Sequence, residues 1–470
     1  MGSLFILIPL FVFMLINLPP RMVMRKLAFW AVLALMLLQV GFVLFPSLSS
    51  FAAASGLFRM DLAIDKLAQM CLLSIAAVTL AALLTGRALI TDENQSCNFM
   101  NLLLLVFIGM NGITLVKDIF SMYVFLEVTA VSSFILIAFS KDKDGLEGAF
   151  KYIIFSSIAT VMILSAIALL LLVAGDTSFA ALRAAIKLHQ NSHVIMFAIS
   201  VFLSGLFIKS GLMPFHGWLP DAYSSAPGAA SVHLAGIVTK IVGVYPLIRI
   251  VHSVFSANVS TNNVLMITGA FSIVVAAFAA INQSDFRRML AYSSISQVGY
   301  IILSLGCGSA LGLAAAIFHF FNHSIFKSLL FVNAATVEAK SQTRDINEMG
   351  GLAQRMPVTG ITSALACLSV SGIPPLSGFW SKLLIIVALW QANQYAYAII
   401  AVMASLVTLS YMLTLQRKVF FGSVSNSMKG VSEADWKLLM PSIILVVIML
   451  VVSLLFPLFL NTFLVPIGGI

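Results

Sequence analysis

Charged side chains are scarce in this sequence, and a few of them stand where a charge is costly. Glu127 lies in the apolar run "SMYVFLEVTAVSSFILIAF". Four lysines lie in similar runs: Lys209, Lys240, Lys327 and Lys382. A charged side chain at the centre of a bilayer costs about 2.5–3.5 kcal/mol even on lenient insertion scales, so such residues mark ion pathways or ligand sites.

The kind of cation in these runs indicates the chemistry. We predict no buried arginine, because the arginines lie in the connections or near the ends of the predicted spans. A lysine that is removed from water can release its proton, whereas an arginine stays protonated in proteins. Four such lysines therefore favour proton transfer. The alternative is that single lysines bridge helices or extend to the membrane surface, which explains one of them better than all four.

Histidines accompany two of these lysines. His319, His323 and Lys327 follow one another at spacings of four in "HFFNHSIFK", which places them on one face of a helix. Neutral histidine can pass a proton at physiological pH. His233 precedes Lys240 by seven residues, two turns of an α-helix. A two-histidine metal site is the alternative, but no cysteine or buried carboxylate stands at ligand spacing, so we expect no metal and no cofactor.

Two predicted helices are interrupted by prolines. "FIKSGLMPFHGWLPDAYSSAPG" contains Pro214 and Pro220, and "SVSGIPPLSGFWSK" contains Pro374 and Pro375. Proline removes a backbone donor and clashes with the preceding turn. Irregular backbone at membrane depth is tolerated only inside protein or beside a wet cavity, and paired broken helices are typical of inverted-repeat transporters. A plain proline kink explains one such segment, but two with lysines nearby favour ion sites.

Composition defines the structural class. The 470 residues are 61% hydrophobic and 9% charged, whereas a soluble protein carries about 25% charged residues. Apolar runs of about 20 residues, the length that crosses a bilayer, recur along the chain. They predict an all-α polytopic membrane protein of about fourteen transmembrane helices. The predicted spans are 3–18, 27–46, 67–86, 98–115, 118–139, 149–174, 194–212, 227–253, 262–282, 289–306, 309–338, 357–391, 395–421 and 437–462.

The loop charges predict the topology. Sixteen lysines and arginines lie in alternate connections and six in the others. The positive-inside rule then places both termini outside the cytoplasm, in the cytoplasmic membrane of a prokaryote. We interpret the net charge of +9 in the same way, and expect no nucleic-acid partner. The first span has neither a basic region before it nor a cleavage site after it, so we expect it to be retained.

Redox chemistry has no recognisable apparatus in this sequence. The four cysteines form no CxxC pair and no iron–sulfur spacing. There is also no glycine-rich nucleotide loop between a strand and a helix. We therefore expect energy to come from partner subunits or from an ion gradient.

Four sequence blocks within residues 60–425 resemble one family. They are "KSGLMPFHGWLPDAYSSAPGAAS", "RRMLAYSSISQVGY", "HFFNHSIFKSLLFV" and "GIPPLSGFWSK". The chain resembles the antiporter-like membrane subunits shared by respiratory complex I, the Mrp cation/proton antiporters and the energy-converting membrane-bound hydrogenases. The resemblance implies two inverted five-helix repeats, helices 4–8 and 9–13, in which helices 7 and 12 are broken. The implied divisions are 1–97 (helices 1–3), 98–253 (first repeat), 262–421 (second repeat) and 437–462 (helix 14).

The resemblance also implies roles for the buried residues. Glu127 is similar to the family's fifth-helix glutamate, and Lys209 to its partner on broken helix 7. Lys240 resembles the mid-membrane lysine that joins two half-channels. The residues similar to the eleventh-helix relay and to the twelfth-helix end of the path are His319, His323, Lys327 and Lys382. Further accessory candidates are His216, Asp221 and His233.

Three functions remain open from the sequence. The first is the proton-translocating subunit of a redox-driven complex, with homologous membrane subunits and peripheral iron–sulfur, hydrogenase or NADH-oxidising partners. The second is a component of an Mrp-type Na⁺/H⁺ antiporter, similar to the D-type subunit of that complex. A membrane scaffold with a degenerate channel is the third, and it would have no need to keep Glu127 and all four lysines. The sequence ends with "FLVPIGGI" after the last predicted span, so we expect it to resemble the shorter subunits of this family.

Overall fold

Helices make up nearly all regular structure in the computed structural model, which describes residues 2–18, 21–44, 61–189, 192–255 and 259–468. The α-helices are α1 (Leu4–Asn17), α2 (Arg21–Leu44), α3 (Lys66–Leu89), α4 (Glu93–Leu115), α5 (Ile119–Ile137), α6 (Lys143–Ala174), α7 (Phe179–Leu188), α8 (His193–Ser210), α9 (Leu219–Ser225), α10 (Gly228–His233), α11 (Tyr245–Ile250), α12 (Val259–Ile281), α13 (Phe286–Gly306), α14 (Ala310–Ser341), α15 (Pro357–Ser371), α16 (Ser377–Gln391), α17 (Tyr395–Val419), α18 (Trp436–Leu454), α19 (Phe456–Phe459) and α20 (Val465–Gly468).

The lengths of these helices suit a membrane. Within the described ranges, twelve helical stretches are long and apolar enough to cross a bilayer. Three shorter apolar helices, α1, α15 and α16, accompany them. Large apolar side chains such as Leu172 and Phe197 are more than 60% exposed on the outer surface, as contact with lipid requires. The prediction of an all-α polytopic membrane protein is confirmed, whereas the count of fourteen spans and the inverted repeats stay predictions.

Aspartates begin many of the helices. Five of them accept a hydrogen bond from the backbone N–H three residues later, the geometry of an N-cap. These residues are Asp65, Asp92, Asp118, Asp142 and Asp285. Their negative charge also complements the positive end of each helix dipole. Five of the 17 acidic residues therefore have a structural role at helix ends.

The most deeply buried helices are those that carry titratable groups. In the most apolar 18-residue stretch of each helix, 94% of the residues of α13 and of Gly228–Phe255 are buried, and 100% of those of α14. Gly228–Phe255 is a continuous helix in which three π-helical segments, Leu234–Val238, Lys240–Val244 and Val251–Phe255, flank and join α10 and α11. These innermost helices hold Lys240, Lys327 and the histidines of α14.

Both predicted helix breaks are present. The first follows α8, where Gly211 takes a left-handed backbone (φ +65°) and irregular residues lead to α9. The second follows α15, where Gly372 does the same (φ +83°) before α16 begins. A left-handed glycine is a common helix end because it lacks a Cβ. Pro214, Pro374 and Pro375 lie in the irregular segments, whereas Pro220 lies in the first turn of α9, where proline is favoured.

One helix lies where the sequence predicted a connection. Residues Phe179–Leu188 form α7, between the predicted spans 149–174 and 194–212. Leu182 and Ile186 are buried on one side of α7, while Arg183 and Lys187 are exposed. The apolar pair at a spacing of four is the local cause of this helix. It is too short to be recognised from span length.

Packing at the second break makes one glycine indispensable. A Cβ at Gly378 would overlap the backbone carbonyl oxygen of Ser369, which cannot move without shifting α15. We expect Gly378→Ala to lower the free energy of unfolding by about 3 kcal/mol, because overpacking against backbone has no cheap relief. Gly41→Ala is the matched control, because nothing lies within 4 Å of that Cβ. Thermal unfolding of the purified protein distinguishes them, and equal melting temperatures would contradict this contact.

Candidate functional site

Glu127 and Lys209 form an ion pair between α5 and the last turn of α8. Lys209 Nζ lies 3.1 Å from Glu127 Oε1, and the lysine side chain is only 2% exposed. Ser156 Oγ and Thr160 Oγ1 on α6 each accept from Lys209 Nζ at 3.3 Å. Thr160 Oγ1 also donates to Glu127 Oε1 at 2.7 Å. The ammonium therefore has three oxygen partners directly before the first helix break.

Lys240 begins the π-helical segment Lys240–Val244 in the innermost part of the fold. It is 1% exposed, and its Nζ donates to the carbonyl oxygens of Ala235 and Gly236, the latter at 2.7 Å. No carboxylate pairs with it among the described residues. Carbonyl dipoles hold the cation without neutralising it. Lys240 is therefore fully buried and its amine has no acidic partner in the described structure. It also lies in a π-helical turn, a feature that is frequent at functional sites.

Close backbone contacts connect Lys240 to both sides of the fold. A Cβ at Gly243 would lie 2.6 Å from Ser210 Cα, so this helix touches the end of α8 directly beside Lys209. A Cβ at Gly236 would overlap the Ser328 side chain, so the same helix touches α14 directly beside Lys327. The three lysines thus lie in consecutive layers of packed helices.

The face of α14 predicted from the spacing of four is present and fully buried. Lys327 Nζ donates to Ser293 Oγ at 2.8 Å and to Leu290 O at 3.1 Å. The rings of His319 and His323 are stacked, with their centroids 6.3 Å apart. His319 Nδ1 lies 2.9 Å from Ser381 Oγ on α16, while both ring nitrogens of His323 lack a hydrogen-bond partner. Which ring nitrogen carries the proton is open for both histidines.

Lys382 lies next to this histidine row. It is 3% exposed, and its Nζ has no hydrogen-bond partner in the described structure. Its Nζ lies over the ring of Tyr300, 4.7 Å from the ring centroid. Tyr300 also lies against His319, with 5.9 Å between ring centroids. Lys382 is therefore linked to His319 in two ways: through Tyr300, which contacts both residues, and through Ser381, which precedes Lys382 in the chain and contacts His319.

The accessory candidates lie off this line. His233 Nε2 pairs with Thr79 Oγ1 on α3 at 3.1 Å. The π-helical segment Leu234–Val238 lies between His233 and Lys240. His216 is half-buried in the first break, with Nδ1 at 3.3 Å from Pro214 O. Asp221 pairs with Lys151 and Arg288, each at 2.6 Å, in a partly exposed cluster.

Among the described residues one arginine is buried, contrary to the prediction that buried cations would all be lysines. Arg287 at the start of α13 is 6% exposed. It pairs with Glu338 of α14 and donates to Ala226 O between α9 and α10 at 2.8 Å. Its long side chain reaches inward from a helix end, which span counting cannot detect. Because arginine keeps its proton, this contact is structural.

Among the buried side chains of the described structure, lysines, histidines and one arginine are present, but no carboxylate is. No aspartate or glutamate there is fully buried, and Glu127 itself is 30% exposed at its side chain. No group of three or more His, Cys, Asp or Glu in the described ranges could hold a metal ion. The arrangement suits the exchange of protons between nitrogen bases.

Several contributing residues were missed from the sequence. Ser156 and Thr160 surround Lys209, Ser381 contacts His319, and Tyr300 covers Lys382. A usable signal existed for the first two, because they form a polar pair at a spacing of four within the predicted span 149–174. Ser381 adjoins Lys382 directly. Tyr300 carried no distinguishing pattern.

Thr160 offers a graded test of the ion pair. We expect Thr160→Val to reduce proton transport about tenfold, because a hydrogen bond to a charged group contributes about 1.5–3 kcal/mol. The isosteric control is Thr85→Val, since Thr85 Oγ1 bonds only to Ala81 O of its own helix. Transport is measured in membrane vesicles and normalised to assembled protein. Equal rates for the two variants would exclude Thr160 from the pair's function.

Fold and site together define a class: a multi-pass membrane protein with a buried line of lysines and histidines between two broken helices. The family model described as NADH:quinone oxidoreductase/Mrp antiporter, transmembrane region, matches residues 116–408, more than half of the chain. The chain belongs to this family of antiporter-like membrane subunits.

Two curated relatives come from different kinds of complex. The chain is 34% identical over 383 residues to the N-type subunit of the NADH-quinone oxidoreductase of Desulforudis audaxviator, covering 79% of this chain and 74% of the relative. It is 29% identical over 397 residues to the D-type subunit of the Na⁺/H⁺ antiporter of Alkalihalophilus pseudofirmus, covering 84% and 80%. Sequence identity therefore supports both branches of the family.

Solved structures of related complexes share the fold along the whole chain. A chain of the Mrp complex from Dietzia sp. DQ12-45-1b matches with a TM-score of 0.89 at 25% identity, covering 100% of this chain and 96% of that one. A chain of the membrane-bound sulfane sulfur reductase, an archaeal respiratory complex, gives 0.87 at 26% identity and covers 100% and 97%. Respiratory complex I from Thermus thermophilus gives 0.85 at 20% identity, covering 100% and 98%, a likeness of fold alone.

Proposed function

We propose that this chain moves protons across the cytoplasmic membrane of a prokaryote as the antiporter-like subunit of a redox-driven multisubunit complex. The observation that carries the proposal is the continuous buried line of nitrogen bases, from Lys209 through Lys240 and the α14 face to Lys382. Burying four lysines is costly, and a scaffold would gain nothing from it. Amines and imidazoles without carboxylate partners can bind and release protons, so proton exchange is the chemistry that suits this line.

The Glu127–Lys209 pair acts as the switch. While the carboxylate lies 3.1 Å from Nζ, the ammonium form of Lys209 is stabilised. Separation of the pair removes this stabilisation and favours release of the proton to the next base. Glu127 is partly exposed, so it can be solvated when Lys209 leaves it. The helix break at Gly211 closely follows Lys209 and gives this end of α8 freedom to move.

The proton then passes through Lys240 to the α14 face. In the low dielectric of a protein interior, two ammonium groups repel strongly, so protonation of one favours release from the other. Lys240 and Lys327 lie on helices in direct contact, and we propose that they interact in this way. His323 and His319 continue the path as neutral imidazoles toward Lys382. We place entry near α8 and exit near α16, through two half-channels that meet at Lys240.

The charge of the lining favours H⁺ over Na⁺ as the ion carried by this chain. Hard metal cations bind through oxygen ligands, chiefly carboxylates and carbonyls. In the described structure the fully buried ionisable side chains of this line are amines and imidazoles. A metal cation would meet repulsion there, whereas a proton binds to the lone pairs of the same groups.

The topology that we propose places both termini outside the cytoplasm. In support, Lys151, Arg288 and Arg344 gather at one face of the fold through ion pairs with Asp221 and Asp285. At the far end of the molecule, Asp65 pairs with Arg249. The richer basic face would be cytoplasmic. Hydrogen bonding to Arg249 holds the pKa of Asp65 below its usual value despite partial burial, so this end keeps its pair at neutral pH.

A component of a secondary Na⁺/H⁺ antiporter is the second candidate, favoured by the likeness to the D-type antiporter subunit and to the Mrp complex. In either case we propose homologous membrane subunits as partners and no cofactor in this chain. In the redox-driven case, peripheral iron–sulfur, hydrogenase or NADH-oxidising subunits supply the energy.

Gentle purification of the tagged chain from its native membrane, followed by mass spectrometry, separates these candidates. We expect redox subunits to co-purify with it. Recovery of small membrane subunits without any redox subunit would assign the chain to a gradient-driven antiporter. A reciprocal purification with a tag on one recovered partner serves as the control, because adventitious proteins do not return the chain.

A further inference from the structure

Gln297 of α13 is a buried polar side chain that takes no part in the proton path from Lys209 to Lys382. It is fully buried, and within the described ranges neither its Oε1 nor its Nε2 has a hydrogen-bond partner. Buried amides are normally satisfied, because leaving one unpaired costs its full desolvation. Gln297 lies within the block "RRMLAYSSISQVGY". An unpaired amide at this depth requires a functional or structural reason.

The register of α13 against α14 places Gln297 at the level of His323. The two helices run antiparallel, because Ser293 Oγ accepts from Lys327 at one end and Ser304 Oγ donates to Gly312 O at the other. Between these contacts, Tyr300 lies against His319. Because Ser293 lies opposite Lys327 and Tyr300 lies opposite His319, Gln297 lies opposite His323.

The helix face supports the same placement. Ser293, Gln297, Tyr300 and Ser304 follow a spacing of four, three and four, which forms one stripe along an α-helix. The stripe's other members contact α14 as described. The opposite side of α13 is occupied by α12, where a Cβ at Gly299 would lie 2.8 Å from Gly269 O. Gln297 therefore lies on the side of α13 away from α12, where α14 packs and where Ser293 and Tyr300 also bond to α17.

His323 has the complementary property. It is fully buried and stacked on His319, and neither of its ring nitrogens has a hydrogen-bond partner among the described residues. A relay histidine must present a protonated nitrogen on one side and a free lone pair on the other. Something fixed must select between the two tautomers. A neutral amide suits this task, because it offers a donor and an acceptor and does not itself titrate.

We propose that Gln297 is the positioning residue of His323: its side-chain amide hydrogen-bonds the imidazole, directly or through one water, and so sets which ring nitrogen carries the proton. The inference rests on the proton path of the proposed function. Gln297 exchanges no proton. It fixes the orientation in which His323 receives a proton from the Lys240 and Lys327 side and delivers it toward His319.

The test replaces Gln297 with methionine, which keeps the length and removes the amide. We expect Gln297→Met to lower proton transport at least tenfold, with an unchanged or higher melting temperature, because an unpaired polar group is removed. Gln39→Leu is the matched control. That buried amide is fully bonded to Leu72 O and Asn111, away from the path. It should lower the melting temperature while leaving transport per assembled complex unchanged.

A double-mutant cycle shows whether Gln297 acts through His323. We expect His323→Ala to lower transport, and the double variant His323→Ala/Gln297→Met to be no slower than His323→Ala alone, because residues acting as a unit are not additive. A structural role for Gln297 would add its loss to that of His323. Multiplied losses, or a native rate for Gln297→Met, would overturn the proposal. Gln297→Leu repeats the test should the methionine variant fail to assemble.

Lys209→Met, assayed in parallel, keeps the two hypotheses apart. If Lys209→Met transports protons at the native rate, the proton path itself is wrong. If Lys209→Met abolishes transport while Gln297→Met does not reduce it, the path stands and only the role of Gln297 is rejected.

Discussion

Lys209→Met is expected to abolish proton transport, by at least a hundredfold, in a chain that still folds and assembles. Methionine matches the length and flexibility of the lysine stem, so packing at the end of α8 is retained. Glu127 is then left without its cation, but it is 30% exposed and keeps the hydrogen bond from Thr160. The carboxylate therefore has other partners, and unfolding is not the expected result.

Transport by this variant is measured in vesicles from cells in which it replaces the native chain. Lys187→Met is the control. It makes the same chemical change far from the path, because Lys187 lies on the exposed side of α7. The amount of assembled complex is measured in parallel. Native transport by Lys209→Met would remove the Glu127–Lys209 pair from the mechanism.

The second large effect is expected at Lys240. Lys240→Met should also reduce transport at least a hundredfold, because it removes the base between the Lys209 layer and the α14 layer. Stability should not fall, since a buried cation held by two carbonyl oxygens is replaced with an apolar side chain of similar size. A melting temperature equal to or above that of the native chain is the expected companion result.

Lys240→Arg separates charge from proton exchange. Arginine preserves the positive charge but does not release its proton in proteins. We therefore expect an assembled, inactive complex, and near-native transport by Lys240→Arg would mean that Lys240 acts only as a fixed charge. The exposed loop variant Lys429→Arg controls for the substitution itself.

Features governed by local cost were predictable from the sequence. A lysine within an apolar run is costly wherever the neighbours are, so Lys209, Lys240, Lys327 and Lys382 could be singled out without a fold. The glycine–proline breaks were equally clear, because a left-handed glycine and an absent backbone donor act within one turn. The face shared by His319, His323 and Lys327 followed from regular α-helical periodicity in α14.

Features that depend on neighbouring helices were not predictable. The partners of Lys209 on α6 and the ring beside Lys382 are set by tertiary packing, and spacing within one helix does not reveal them. The π-helical segment between His233 and Lys240 was not predictable from their spacing. Arg287 escaped notice because its side chain reaches inward from a helix end. Gln297 becomes distinctive only when its buried amide is seen to lack partners.

The π-helical segments of Gly228–Phe255 also have an evolutionary consequence. Each π turn closes a hydrogen bond across one more residue than an α turn, so it stores one residue of spare length. Loss of a residue from Leu234–Val238 would return that turn to α geometry while Arg249 stayed against Asp65. The same loss within α14 would rotate half of its face by about 100°. Single-residue gaps between relatives should therefore accumulate in Gly228–Phe255 and be absent from α14.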